Sequence, residues 1–172
     1  MAIAEEWLIH EDEKCRQARL DRLEWLANIT SKNGNWLFHG GQLTKYLFEE
    51  ARYCFVYGQF LAAIILGLSF VEHSLASILF GWGRNDLERA NFSDLIKEAL
   101  DQGIIDQNEN LHIEKARSIR NAITHFRQPG DEERIELTTI IQNAQPYEII
   151  ENEARNVMEI VLHLLDRFSE VL

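Results

Sequence analysis

The segment from Gln59 to Phe80 constrains the fold more than any other part of the sequence. It is apolar on nearly every side of a helix, and Glu72 and His73 are its only strongly polar interruptions. A helix that is apolar all round must be surrounded by other helices, a second subunit or lipid. An adjacent Glu-His pair near the middle of a barely long enough span makes lipid costly. We therefore predict a central helix, buried within the fold and against a second copy.

The rest of the chain also has helical character. Its 172 residues include 9 Gly and 2 Pro, fewer helix-breaking residues than usual. No segment alternates with period two, whereas apolar residues recur at helical spacing along much of the chain. The fold class predicted is all-α, a compact helical bundle forming a single domain over residues 1–172. The predicted helices cover residues 3–30, 42–57, 59–80, a short stretch capped by Ser93 and ended by Gly103, 111–126 and 146–172.

Charge limits the functions that the chain can have. There are 17 basic and 28 acidic residues, which gives a net charge of −11. Binding that coats nucleic acid depends on Lys and Arg neutralising many phosphates, so a broad surface of that kind is excluded. A polyanion could therefore bind only at a local cluster of basic residues.

Cysteine, histidine and the N-terminus set further expectations. Cys15 and Cys54 lack metal-ligand spacing and are predicted to be reduced core residues. No histidine forms a metal spacing with another ligand on the same helix face, so we expect neither a metal nor another cofactor. The acidic stretch at the N-terminus is the opposite of the basic start of a secretion signal. We expect a cytoplasmic protein that does not bind membranes.

One segment differs in charge from everything around it. Residues 111–127 carry a net charge of +3, which leaves −14 on the remaining residues. The same segment brings Arg, Asn, Thr and His close together. On a continuous helix the polar arc from Arg120 to His125 spans about 140°, and Asn121 lies nearly in line with His125. An imidazole can move a proton near neutral pH, and a guanidinium can hold a phosphate and offset its developing charge.

This motif resembles the signature of the HEPN superfamily. The family signature is an arginine, four to six intervening residues and a histidine, commonly with a polar residue directly after the arginine. Arg120-Asn121-Ala122-Ile123-Thr124-His125 matches it, and an Arg-Asn pair at this spacing is expected by chance only about 0.03 times in such a chain. The preceding segments, with Ala51, residues 58–63 and Glu72, look like the first hairpin of the family. The resemblance covers roughly residues 43–126.

The resemblance implies an antiparallel helical bundle that dimerises so that two copies of the motif face one cleft. The long first helix and the acidic last helix would be additions to it. Many members of the family are metal-independent endoribonucleases, often toxins or defence effectors, so RNA is the implied substrate and an antitoxin or regulatory protein an implied partner. Arg120 would orient and stabilise the scissile phosphate, His125 would transfer protons, Asn121 would position groups, and Glu72 would fix Arg120 or His125. Further substrate contacts would come from Arg117, Thr124 and Arg127.

Other interpretations of the same residues remain open. Position 127 is Arg, so the family branch that is controlled by modification of a tyrosine there is not indicated. Arg120 and Glu72 can also form a structural ion pair, which is compatible with a functional role. The strong negative charge suits a catalytically inactive HEPN-like interaction module, and Arg117 with Arg120 would suit a nucleotide-binding regulatory bundle.

Overall fold

The computed structural model describes residues 3–30, 36–126, 128, 131 and 134–168. Within those ranges the chain forms seven α-helices, one short 3-10 turn at Asn85–Leu87 and no strand. The all-α prediction is therefore confirmed. The helices are α1 (Ile3–Ile29), α2 (Gly41–Val56), α3 (Phe60–Gly81), α4 (Phe92–Asp101), α5 (Gln107–Thr124), α6 (Ile135–Gln142) and α7 (Pro146–Phe168).

Helix α3 lies at the centre of the fold, and its main neighbours are α2 and α7. Small residues let these helices approach closely. Ala51 of α2 and Ala63 of α3 are fully buried, and the turn between the two helices uses Gly58 at a φ of 78°, which favours glycine. On the other side of α3, a Cβ added to Gly67 would come within 2.6 Å of Val157 Cγ1 on α7. The backbones of α3 and α7 therefore meet at a position that only glycine fills without displacement.

The described chain does not surround α3 completely. Its partly or fully exposed residues between Leu61 and Phe80 fall on one arc of about 160° around the helix. By length and hydropathy α3 is the one described helix that passes as a candidate membrane span, but 56% of the apolar window is buried inside the protein. Core helices of soluble proteins pass the same test, so this is weak evidence for a membrane. The outward-facing residues of α3 are Leu61, Ala62, Ile65, Leu66, Ser69, Glu72, His73, Ala76, Ser77 and Phe80.

Helix α1 is packed at one end and exposed at the other. Near its C-terminal end, the Trp25 ring lies 5.2 Å from that of Phe55. Arg22 is buried there, and its Nε donates to the carbonyl of Val56 at 2.9 Å while its Nη1 lies 3.8 Å from Glu151 Oε1. The predicted helix is thus present, but its N-terminal half departs from the expected packing. The exposed large apolar residues of that half are Ile3, Trp7, Leu8 and Ile9.

Two shorter helices differ from the prediction. Helix α4 is capped by Asn91 rather than Ser93, because Asn91 Oδ1 accepts the backbone N–H of Asp94 at 3.0 Å. Helix α6 was not predicted, since it lies between the predicted helices over residues 111–126 and 146–172. Eight residues are too few for apolar spacing to distinguish a helix from other structure. Residues 127, 129, 130, 132 and 133, before α6, and the last four residues of the chain lie outside the described residues.

The close contact at Gly67 generates a stability prediction. Gly67→Ala should lower the free energy of unfolding by about 1–2 kcal/mol, because overpacking against Val157 outweighs the better helix propensity of alanine. Urea unfolding of both proteins measures the difference. Gly81→Ala is the matched control, since a Cβ there has no neighbour within 4 Å and should leave stability unchanged or raise it. A Gly67→Ala protein as stable as Gly81→Ala would contradict the close approach.

Candidate active site

Helix α5 carries the motif, and a capping box fixes its start. Asp106 Oδ1 accepts the backbone N–H of Glu109 at 2.8 Å, and Glu109 Oε2 accepts the backbone N–H of Asp106 at 2.7 Å. The two carboxylates thereby satisfy backbone donors at the helix start. The helix consequently begins at Gln107, four residues before the predicted start. Glu109 also contacts α7, with Oε1 2.9 Å from His163 Nε2 and Oε2 2.6 Å from Arg167 Nη1.

Helix α5 ends earlier than predicted. Ile113 and Ala116 are buried, but the helix stops at Thr124 and His125 takes extended backbone angles. Phe126 beyond it is 87% exposed, so a further turn would bury nothing in this chain. The prediction that the helix runs to Phe126 is therefore wrong by two residues, and His125 is not held in line with Asn121 by helix geometry.

Arg120 is held by two neighbouring helices. Its Nη1 donates to Glu72 Oε2 of α3 at 3.2 Å, and its guanidinium carbon lies 5.3 Å from the centre of the buried Phe92 ring on α4. Opposite charge and the aromatic face both favour a fixed guanidinium. The ion pair with Glu72 that the sequence suggested is thus present. Because 22% of the Arg120 side chain remains exposed, the guanidinium lies at the surface edge where α3, α4 and α5 meet.

His125 and Asn121 are the other two residues of the Arg-Asn-x3-His motif in this chain. The His125 side chain is exposed, and its backbone N–H donates to the Asn121 carbonyl at 3.0 Å. Asn121 is partly buried on the last turn of α5. The structure therefore places a fixed guanidinium, an amide and an exposed imidazole at one end of one helix.

The three additional predicted substrate contacts fare differently. Arg117 is engaged within α5, where Nε and Nη2 donate to Glu114 Oε2 at 2.8 and 2.7 Å. The Thr124 hydroxyl donates to the carbonyl of Arg120 at 2.9 Å, which closes the last turn of the helix. Arg127 lies outside the described residues. The residues that the structure brings together are thus Arg120 and Glu72, with Asn121, Thr124 and His125 at the adjacent helix end.

Phe92 is a residue of this site that the sequence did not indicate. It lies 28 positions before Arg120, and no motif links the two. Its contact with the guanidinium comes from the packing of α4 on α5, which periodicity alone does not reveal. Among the described residues, His, Cys, Asp and Glu form no group of three or more that could hold a metal ion. The side chains at the end of α5 could bind phosphate through Arg120 and transfer protons through His125.

Comparison with known proteins gives no relative for this chain. No protein-family model, curated protein or solved structure matches it.

The Asp106 cap generates a prediction about acid stability. The backbone N–H of Glu109, bonded to its carboxylate, holds the pKa of Asp106 below its usual value. A lowered folded-state pKa contributes stability that is present above about pH 4 and is lost as pH falls through the folded value. Asp106→Ala should therefore lower the melting temperature at pH 7 by about 2–4 °C.

The same substitution should have a smaller effect in acid, as the pH falls through the lowered pKa of Asp106 and the cap of the original protein is protonated. Asp101→Ala is the control, since Asp101 is an exposed residue at the end of α4. Thermal unfolding at several pH values makes the comparison. A loss that stays the same as the pH is lowered until the original protein itself unfolds would contradict the assigned cap.

A second prediction concerns the ion pair. Both partners keep some solvent exposure, 22% for the Arg120 side chain and 33% for that of Glu72. Such pairs contribute little, so Glu72→Gln should change the free energy of unfolding by less than about 1 kcal/mol. Glutamine keeps the size of the side chain and can still accept a hydrogen bond from Arg120. A loss several times larger in urea unfolding would mean that the pair holds the bundle together rather than orienting Arg120.

Proposed function

We propose that this protein is a metal-independent endoribonuclease of the HEPN type that acts on single-stranded RNA as a homodimer. The observation that carries the proposal is the arrangement at the end of α5. Glu72 and Phe92 hold Arg120 in place, and the exposed His125 lies five residues further along the chain. A fixed cation and an exposed imidazole at the same helix end are two of the groups that RNA cleavage by its own 2′-hydroxyl uses.

In the proposed reaction the RNA supplies its own nucleophile. An imidazole takes the proton of a 2′-hydroxyl, and the 2′-oxygen forms a bond to the adjacent phosphorus. The bond from phosphorus to the 5′-oxygen breaks, and a protonated imidazole gives that oxygen a proton. The products are a 2′,3′-cyclic phosphate and a 5′-hydroxyl, with no water consumed. Arg120 binds the phosphate oxygens and offsets the charge that develops on them, and Asn121 positions the substrate.

A second copy would supply the second imidazole. Each chain brings one His125, whereas the reaction needs both a base and an acid. The outward face of α3 supports pairing, because it is largely apolar and includes Glu72 beside the motif. Covering that face with the same face of another copy would bring two motifs to one cleft. The acidic remainder of the chain would then confine RNA to this local positive site.

A role as a toxin or defence effector with an antitoxin or regulatory partner belongs to the same proposal, as does a cytoplasmic location. The competing candidate is a catalytically inactive interaction module. It is favoured by the net charge of −11 and by the engagement of Arg120 with Glu72 and of Arg117 with Glu114. A guanidinium that is needed only to join helices would explain these contacts without catalysis. Cleavage separates the two candidates.

The test is cleavage of single-stranded RNA by the purified protein in EDTA. The expected products carry 2′,3′-cyclic phosphate and 5′-hydroxyl ends, and the same strand made of DNA should stay intact because it lacks the nucleophile. His125→Ala should reduce the rate about 10²- to 10⁴-fold through loss of proton transfer. Arg120→Ala should reduce it about 10²- to 10³-fold through loss of phosphate stabilisation.

Two matched controls accompany these variants. His112 is an exposed histidine near the opposite end of α5, and Arg52 is an exposed arginine on α2. His112→Ala and Arg52→Ala should cleave at the original rate. All variants are compared at equal fractions folded, measured by circular dichroism. An original protein that leaves RNA intact, or a His125→Ala protein as active as the His112→Ala protein, would refute the nuclease proposal.

A further inference from the structure

The N-terminal half of α1 is an arm that extends beyond its packing partners. Arg22 contacts the carbonyl of Val56 and the Arg19 guanidinium lies 5.0 Å from the Tyr57 ring, so α2 ends at this level of α1. Residues 3–13 therefore continue for about three helical turns past the end of α2. Leu8 is 64% and Ile9 45% exposed, and residues 3–13 carry five acidic and no basic side chains. The arm is both apolar and strongly negative.

A groove of the opposite character lies directly beside the arm. It runs between α1 and α2 with a volume of about 800 Å³. Leu20, Leu23 and Tyr53 give it an apolar lining, and each of them is about half exposed. The lining holds three arginines and two glutamates, a net charge of +1, and Asp12 of the arm pairs with one of the arginines, Arg19. The charged residues lining it are Arg16, Arg19, Arg52, Glu49 and Glu50.

Arm and groove share one stripe of α1. Eight residues fall on an arc of about 120° around the helix, and the charge along this stripe changes sign near its middle. Its first half is acidic and apolar, and its second half is basic and apolar. Asp12 already reaches Arg19 in its own chain, with Oδ1 3.0 Å from Nη1, so its carboxylate lies at the mouth of the groove. The stripe consists of Glu5, Leu8, Ile9, Asp12, Arg16, Arg19, Leu20 and Leu23.

We propose that the α1 arm of one chain docks in the α1–α2 groove of a second copy, with the two α1 helices antiparallel. When two copies of α1 pack antiparallel, the acidic half of the stripe on each helix faces the basic half on the other. The same contact therefore occurs twice in the symmetric dimer. Asp12 then faces Arg16 of the second copy, and Leu8 and Ile9 face its Leu20. The spacing of the stripe, close to a heptad repeat, suits such antiparallel pairing of helices.

A second copy fits this surface better than RNA or a membrane. The arm is acidic, so it would be repelled by phosphates and by anionic lipid headgroups. Each copy contributes apolar side chains from both the arm and the groove, and the contact occurs twice. The surface is separate from the proposed nuclease site, which lies where α3, α4 and α5 meet.

The test measures the native mass of the full chain without RNA, by light scattering during size-exclusion chromatography. Replacing Leu8 and Ile9 together by serine should halve the mass of the assembly, whether or not α3 forms a further interface. Trp7→Ser is the matched control on the same arm, because Trp7 lies about 160° around the helix from the centre of the stripe. It should leave the mass unchanged.

Charge exchange tests the direction of docking. The first variant combines Glu5→Lys with Asp12→Lys, and the second combines Arg16→Glu with Arg52→Glu, all at exposed positions. Each variant alone should have half the original mass, because like charges face each other twice. An equal mixture should recover the original mass, since both contacts between unlike chains are then complementary.

Three results would overturn the inference. They are an original protein with the mass of a single chain, a Leu8/Ile9 variant with the original mass, and a mixture of charge variants that stays at half mass. The first result would also count against the proposed nuclease, which needs a homodimer, whereas the other two concern the arm contact alone, so the two proposals can fail separately.

Discussion

Burial of α3 is the constraint on which the rest of the structure depends. The helix is apolar on nearly every side and carries few charged residues. Helices α2 and α7 cover most of α3 through close contacts at Ala51, Ala63 and Gly67. Helices α4 and α5 then pack against what remains, which brings α5 beside Glu72. The position of the motif is thus a consequence of core packing. The one acidic residue of α3 lies on the arc that the core leaves uncovered.

That arrangement connects stability to chemistry. A carboxylate in the middle of an apolar helix would be costly to bury, but Glu72 faces Arg120 instead of the core. The guanidinium is held by a carboxylate on one helix and an aromatic ring on another, while His125 lies beyond the helix end with an exposed side chain. In the proposed nuclease the fixed guanidinium would bind the phosphate, and the exposed imidazole would transfer protons.

The sequence predicts the long helices well and the site in part. Apolar spacing finds α1, α2, α3, α5 and α7 because each runs for at least four turns, but it fails for the eight-residue α6.

The pairing of Arg120 with Glu72 follows from the motif resemblance, whereas the Phe92 contact depends on how α4 packs. The prediction that Asn121 lies nearly in line with His125 assumes a continuous helix, but α5 ends at Thr124. The capping box at Asp106 is visible in the sequence, but the predicted helix begins only at residue 111. The exposed arm of α1 has the same apolar spacing as its buried half.

The central claim is that Arg120 and His125 from two chains act on one phosphodiester. A crystal structure of the protein with a single-stranded RNA blocked by 2′-O-methyl groups tests it most directly. The account predicts one RNA backbone lying in a cleft between two copies, with an Arg120 guanidinium on a phosphate and both His125 imidazoles beside the same linkage. Motifs that face away from each other, with no RNA between them, would contradict it.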